Sequence, residues 1–521
     1  MIKAFTGGRI FTSCPDKPFV DSILVEDGVI VCAGERSELP PGKYEEEDLA
    51  GRTVIPGFVD AHMHPLMLAD YSEQIACLPP EVNSIEDLKD RIAEEAARTE
   101  EGGWILGWGY DEGKFAEGRS PNRYDLDRGS SRHPVFIVRS CEHIRCVNSR
   151  ALEIAGIDRN TPDPPGGTIE KDENGEPTGI LKENARDLVL PYMPEAGRED
   201  RTEQILKLGE LLTSQGIVGI ADMGNLHEGE NYSLFREAEA RGFRQRVAVY
   251  YMWDYFMDDE SFTMEKELMD GSLQIHKAGI KLIGDGSISG RTAWVGEPYL
   301  DGSEGLPVYS DESMEKAIDF ARKTGCQIAV HAMGGRAIDR AVRRLAEEEC
   351  GLRVRLEHLT EPSEEAVETT VRKGFAFVSQ PIFKYCEIET YLKNLGRDRL
   401  KAMYPYRTML ERGVKLALST DAPATSWAVP SDPFANLKAA VTGRAWDGSD
   451  MGRDERLDIE TAIRLYTAEA AEVCGFTGLG RIAPGYRASF AVLSDDIFGV
   501  DPERIDEIRV ERTYIDGERV Y

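Results

Sequence analysis

The sequence predicts an α/β chain: a (β/α)8 barrel, with a small β-sandwich built from both chain ends and a large insertion after the first barrel strand. Three observations carry this reading. Eight short apolar runs recur along the chain, most of them separated by amphipathic stretches, the pattern of strands alternating with crossover helices. Both chain ends hold alternating segments broken by Gly-Gly and Asp-Gly turns, too short to bury a core alone. The interval between the first two apolar runs is far longer than a crossover needs.

The elements follow in order. Residues 1–53 carry AFTGGRIFT and DSILVEDGVIVCAG, and residues 476–521 carry ASFAVLSDDI and IRVERTYIDGERVY; together they are expected to form the composite sandwich. The barrel occupies 54–475 and begins at VIPGFVD, read as one strand. GIVGIADMG, RVAVYYMW, GIKLIGDGS, CQIAVHAMG, RVRLEHL, FAFVSQP and VKLALSTDAP supply the other seven strands. SMEKAIDFARKTG and AIDRAVRRLAEEE are amphipathic and read as crossover helices. The insertion, about 66–213, contains a helix in SIEDLKDRIAEEAART and Gly/Pro-rich loops such as TPDPPGGTIEKDENGEPTG, the composition of a loop-rich cap.

Composition narrows the function. With 521 residues and a formal net charge of −31, the surface repels nucleic acid and anionic lipid, so neither is expected as a partner. Nine cysteines lie scattered without C-x-x-C spacing; the odd count argues for a reducing, cytoplasmic setting rather than a disulfide framework. The start, MIKAFTGGRIFTS, has no long apolar segment and reads as lacking a signal peptide.

The ends of the predicted strands hold the chemistry. His62 and His64 follow the first strand two residues apart, a spacing that puts both imidazoles on one face, where neutral nitrogens can share a cation. Lys281 lies in the fourth strand, His331 ends the fifth, His358 the sixth and Asp421 the eighth. Each alone has an ordinary reading: a core histidine, a snorkelling lysine, a turn aspartate. A barrel brings its C-terminal strand ends to one face, so the six residues together point to a metal centre. His227, just past the second strand, is placed where it could face the site but has an ordinary structural reading; His133 and His276 read as structural or exposed, and Trp104, Trp108 and Phe115 as an apolar pocket lining or the insertion's own core.

The segments VDAHMH, IKLIGDGS, VHAMG, LEHL and STDAP resemble the amidohydrolase superfamily, in the YtcJ-like or amidohydrolase-3 branch that includes N-substituted formamide deformylases. GWGYDEGKF, HIRCVNSRALEIAGI, DPPGGTIEKDENGEPTGIL, GDGSISGRTA and GRIAPGYRASFAVL extend the likeness over nearly the whole chain. The resemblance implies a TIM-type metal-dependent hydrolase barrel that cleaves a C–N bond in an amide, formamide or cyclic amide of a small molecule. It implies one or two divalent ions, zinc first, with iron, manganese or nickel as alternatives. His62, His64 and Asp421 would bind one ion and His331 and His358 a second, with Lys281 bridging them as a carbamate. Asp421 would act as general base and then general acid, and His143 would donate to the substrate carbonyl. Asp111, Arg119, Trp108 and Arg291 are candidates for substrate contacts, and a homodimer is the family-level expectation. An ester or lactone hydrolase, an isomerase in the same barrel, and a non-catalytic binding relative stay open at this point. Three positions depart from the family pattern: Gly335 and Ser489 stand where an acid is usual, and Glu142 replaces an aspartate.

Overall fold

A computed structural model describes residues 2–140, 144–165, 167–193, 198–224, 231–348 and 351–521. All eight expected barrel strands form, in the expected order: Phe58–Met63, Ile217–Asp222, Arg246–Met252, Ile275–Ile283, Gln327–Ala332, Arg353–His358, Ala376–Ser379 and Lys415–Leu418. They make one parallel sheet in which each strand pairs with the next in sequence. Past its strands' ends the sheet is drawn closed by two backbone bonds, Asp421 N–H to the His62 carbonyl and His64 N–H to the Ala422 carbonyl, each 2.8 Å. The crossover helices follow from local signals. Ser310 caps Asp311–Thr324 and Gly325, at φ 78°, stops it; Ser363 and Gly374 do the same for Glu364–Lys373.

VIPGFVD is not one strand. Thr53–Pro56 pairs with a C-terminal strand, and Phe58–Met63 starts the barrel. The switch occurs at Gly57, whose N–H bonds Ser489 on one side while the Phe58 N–H bonds Gly216 on the other. A Cβ at Gly57 would lie 2.4 Å from Val218 Cγ1, so only glycine lets the chain pass between the two sheets. A second irregularity follows at once. Ile220 pairs with Asp60 but Asp222 pairs with Met63, so the first barrel strand carries an extra residue just where His62 stands. Such a bulge re-aims the side chains that follow it.

The chain ends form a four-stranded sheet of N-terminal strands and a six-stranded sheet that mixes both ends. Phe5, Ile10, Val54, Phe490 and Tyr514 fill the core they share. These sheets and the barrel lie in one compact unit: Met1–Pro65, Ile205–Thr425 and Ser431–Tyr521. The second unit is Leu66–Gln204 with Ser426–Pro430. It is more ordered than a loop-rich cap, having its own six-stranded sheet and a core that includes Ile92, Tyr110, Leu126 and Ile137. The predicted helix is present at Ile85–Ala96. Among the described residues no helix is long and apolar enough to cross a membrane.

His276, at the start of the fourth strand, is buried and donates Nε2–H to the Cys474 carbonyl at 3.2 Å, while Nδ1 has no partner. Burial lowers its pKa to about 4, and nearby Arg353 and Arg246 act in the same direction. The unfolded chain therefore binds a proton that the native state refuses between about pH 6.5 and 4. Stability is full above that window and falls by about 3 kcal/mol as pH drops through it. His276→Gln is expected to remove this part of the pH dependence, measured as urea stability at pH 7 and pH 5; an unchanged difference would contradict it.

Candidate metal centre

The extra residue in the first strand leaves His62 and His64 beside Asp421, which the closure bond ties to the His62 carbonyl. His62 Nε2 and His64 Nε2 each lie 3.3 Å from Asp421 Oδ1. Lys281 Nζ is 3.4 Å from His62 Nε2. His358 and His331 stand alongside: the His358 ring centre is 4.9 Å from that of His62 and 4.4 Å from that of His331. His358 and Asp421 both hold left-handed backbone, at φ 78° and 58°, which non-glycine residues rarely adopt and which often marks functional positions.

The partners of the four imidazoles decide which nitrogen carries hydrogen. His62 Nδ1 faces the Glu357 carboxylate at 2.6 Å, and His64 Nδ1 faces the Gly224 carbonyl at 3.1 Å. His331 Nε2 faces the Gly286 carbonyl at 2.9 Å. Gln380 gives its amide hydrogen to Ser419 Oγ and so presents Oε1 to His358 Nδ1 at 2.9 Å. A carbonyl or ionised carboxylate oxygen can only accept, so each ring spends its N–H outward. The bare nitrogens are then Nε2 of His62, His64 and His358 and Nδ1 of His331, the form in which imidazole binds metal.

Electrostatics agree. Burial, reinforced by the Lys281 charge and the neighbouring imidazoles, holds His62 well below the usual histidine range. Burial does the same to His358, with the His331 and His62 charges adding to it. His64 is the exception: burial lowers its pKa, but the adjacent Asp421 carboxylate outweighs this and raises it. A positive charge is thus favoured between His64 and Asp421. Burial brings the Lys281 amine down to about 8, against the pull of Glu357 and Asp421.

The residues fit a cation. Asp421 Oδ1 is buried and makes no hydrogen bond although two ring nitrogens face it. Ligands around a tetrahedral ion with bonds of about 2.0–2.1 Å are about 3.3–3.4 Å apart, which is the spacing of Asp421 Oδ1 from both Nε2 atoms. Among the described residues, His62, His64 and Asp421 are the set whose ligand atoms all lie within 4.8 Å of one another. His331 and His358 fall outside that set.

The other expected residues have their own surroundings. His143 and His227 are outside the described residues. Arg119 makes paired bonds to Asp125 at 2.7 and 2.9 Å, and Asp125 in turn caps the helix Arg123–Gly129. Asp111 accepts from Gly113 N–H and lies 3.8 Å from Arg139. Trp108 is buried and stacked on Tyr71, while Phe115 is buried in the core of the same unit. Arg291 sits in the loop after the fourth strand, paired with Asp301 at 2.7 Å. His133, like His276, is buried and bonded, at 3.0 Å to Ser130 Oγ.

Four supporting residues were not singled out from the sequence. Glu357 orients His62 and is itself held by Arg355. Gln380 orients His358. Asp60 accepts from Thr420 Oγ at 2.6 Å and Tyr466 OH at 3.0 Å, fixing the closure seam. Asp285 accepts from the backbone N–H groups of Met333, Gly334 and Trp294. It bears on the departure at Gly335, for a buried carboxylate already serves the start of that helix from the segment after the fourth strand. The available signal for the first was alternation: RVRLEHL places Arg355 and Glu357 two apart in an otherwise apolar strand.

Comparison with known proteins agrees with this geometry. The model of the Amidohydrolase family matches residues 45–521. The Bacillus subtilis (strain 168) protein named "Putative amidohydrolase YtcJ" is 31% identical, over 99% of this chain and 98% of its own. The N-substituted formamide deformylase of Arthrobacter pascens is 28% identical, over 95% and 94%. The crystal structure of an uncharacterized metal-dependent hydrolase from Pyrococcus horikoshii OT3 superposes with a TM-score of 0.74 at 27% identity, covering 96% of this chain and 99% of that one. The chain belongs to the amidohydrolase family.

Proposed function

We propose that the protein hydrolyses the C–N bond of a small amide, formamide or cyclic amide, with Asp421 moving the proton. The observation that carries this is the convergence of two imidazole Nε2 atoms on the buried Asp421 Oδ1. His62, His64 and Asp421 would hold a divalent ion, zinc in the first instance. When bound, such an ion supplies an acidified water near neutral pH and a polarised substrate carbonyl. The formamide deformylase of Arthrobacter pascens supports placing N-formyl compounds among the substrates.

The chain's own residues do the remaining work. The two Asp421 oxygens have different surroundings: Oδ1 faces His62 and His64, and Oδ2 is 3.9 Å from His358. Oδ2 takes the proton of the attacking water and returns it to the departing nitrogen, which leaves poorly unless protonated. The His358 atom nearest Oδ2 is Nδ1, whose N–H goes to Gln380, so that nitrogen does not accept the proton. The buried Lys281 amine, partly neutral, can add carbon dioxide; the carbamate would bridge to a second ion on His331 and His358.

Two outcomes follow. Asp421→Asn keeps the shape of the side chain and removes the proton acceptor, so turnover of N-formyl amines, N-acyl amino acids or cyclic imides should fall by about 10²–10⁴ with an unchanged melting temperature. Wild-type rates in this variant would exclude Asp421 from proton transfer. Purified protein should contain a divalent metal, chelation should abolish activity, and zinc should restore it; His64→Ala should lose most of the bound metal. A metal-free protein with full activity on such substrates would overturn the reading.

A further inference from the structure

Ala61, Ala248, Ala329, Ala376 and Ala417, all from barrel strands, are buried in one apolar cluster. Among them lies a fully buried ion pair, Arg355 with Glu357. The guanidinium meets the carboxylate twice, Nε to Oε1 at 2.5 Å and a terminal nitrogen to Oε2 at 2.9 Å. It also donates to the Ala61 carbonyl at 2.5 Å and to Tyr250 OH at 3.3 Å, reaching from the sixth strand to the first and third. Glu357 Oε2 then takes the His62 Nδ1–H.

Removing two charges from water is costly, and replacing such a pair by apolar residues of similar size is often neutral or stabilising. Barrel stability alone therefore does not account for it. Its contacts suggest another role. Arg355 and Glu357 grip consecutive residues of the bulged strand, Ala61 by its carbonyl and His62 by its ring. We propose that Arg355 and Glu357 are positioning residues whose role is to aim His62 Nε2 at the metal, not to stabilise the barrel. Glu357 fixes which ring nitrogen is bare, and Arg355 fixes Glu357 while holding the bulge. This inference rests on the metal-centre reading above.

The test is the double variant Arg355→Met/Glu357→Leu, which removes both charges and leaves neither unpaired. Two quantities are measured against wild type: the melting temperature of metal-stripped protein, and zinc affinity by competition with a chromogenic chelator. The expected result is a metal-free melting temperature equal to or above wild type, with zinc bound about 10–100-fold more weakly, the usual effect of losing a ligand's outer partner. Wild-type zinc affinity in the double variant would overturn the inference and leave the metal centre standing. A double variant that cannot fold would overturn it too, by showing that the barrel needs the pair. A wild type that binds no zinc or other divalent ion would instead remove the metal-centre reading itself.

Discussion

Each imidazole of the cluster has one hydrogen to give, and each gives it away from the centre. The acceptors are the Glu357 carboxylate, the Gly224 and Gly286 carbonyls and the Gln380 side-chain oxygen. None of these groups, as placed, can offer a proton back. The bare Nε2 atoms of His62 and His64 are left beside the buried Asp421 carboxylate, an arrangement that favours a cation or proton among them. The raised affinity of His64 for a proton shows the same demand. The proposed metal chemistry and the proposed role of Asp421 both rest on this one assignment of hydrogens.

The fold provides that arrangement through its seam. The first and last strands are joined by bonds through the backbone of His62, His64, Asp421 and Ala422, so closure of the barrel and assembly of the site share the same atoms. Gly57 lets the chain leave the end sheet and enter the barrel, and the bulge ahead of His62 sets its side chain. Asp60 ties the seam to Thr420 and Tyr466. Left-handed backbone at His358 and Asp421 costs energy on the order of 1–3 kcal/mol each and persists because neighbouring bonds over-determine it. Stability has been traded locally for ligand direction.

Much of this was legible in the sequence. The eight strands were readable because each is a short, nearly continuous apolar run, as parallel strands buried on both faces must be. His62, His64 and Asp421 were readable because polar residues at the ends of such runs are uncommon. What could not be read was anything that depends on a distant partner. The split of Val54–Val59 at Gly57 requires knowing that Val218 stands against it. The sheet in the second unit escaped notice because strands such as Ile105–Tyr110 contain Gly107 and Gly109 and show no clean alternation. Arg355 and Glu357 were visible as alternating charges, but only the folded barrel shows them meeting Ala61 and His62.

The most direct test is diffraction at the absorption edge of zinc or cobalt from crystals grown with that metal. One anomalous peak should appear about 2.0–2.2 Å from each of His62 Nε2, His64 Nε2 and Asp421 Oδ1. His62 and His64 should still offer Nδ1 to Glu357 and to the Gly224 carbonyl. No peak between those three atoms, or a ring turned so that Nδ1 faces the centre, would contradict the assignment of hydrogens on which this account stands.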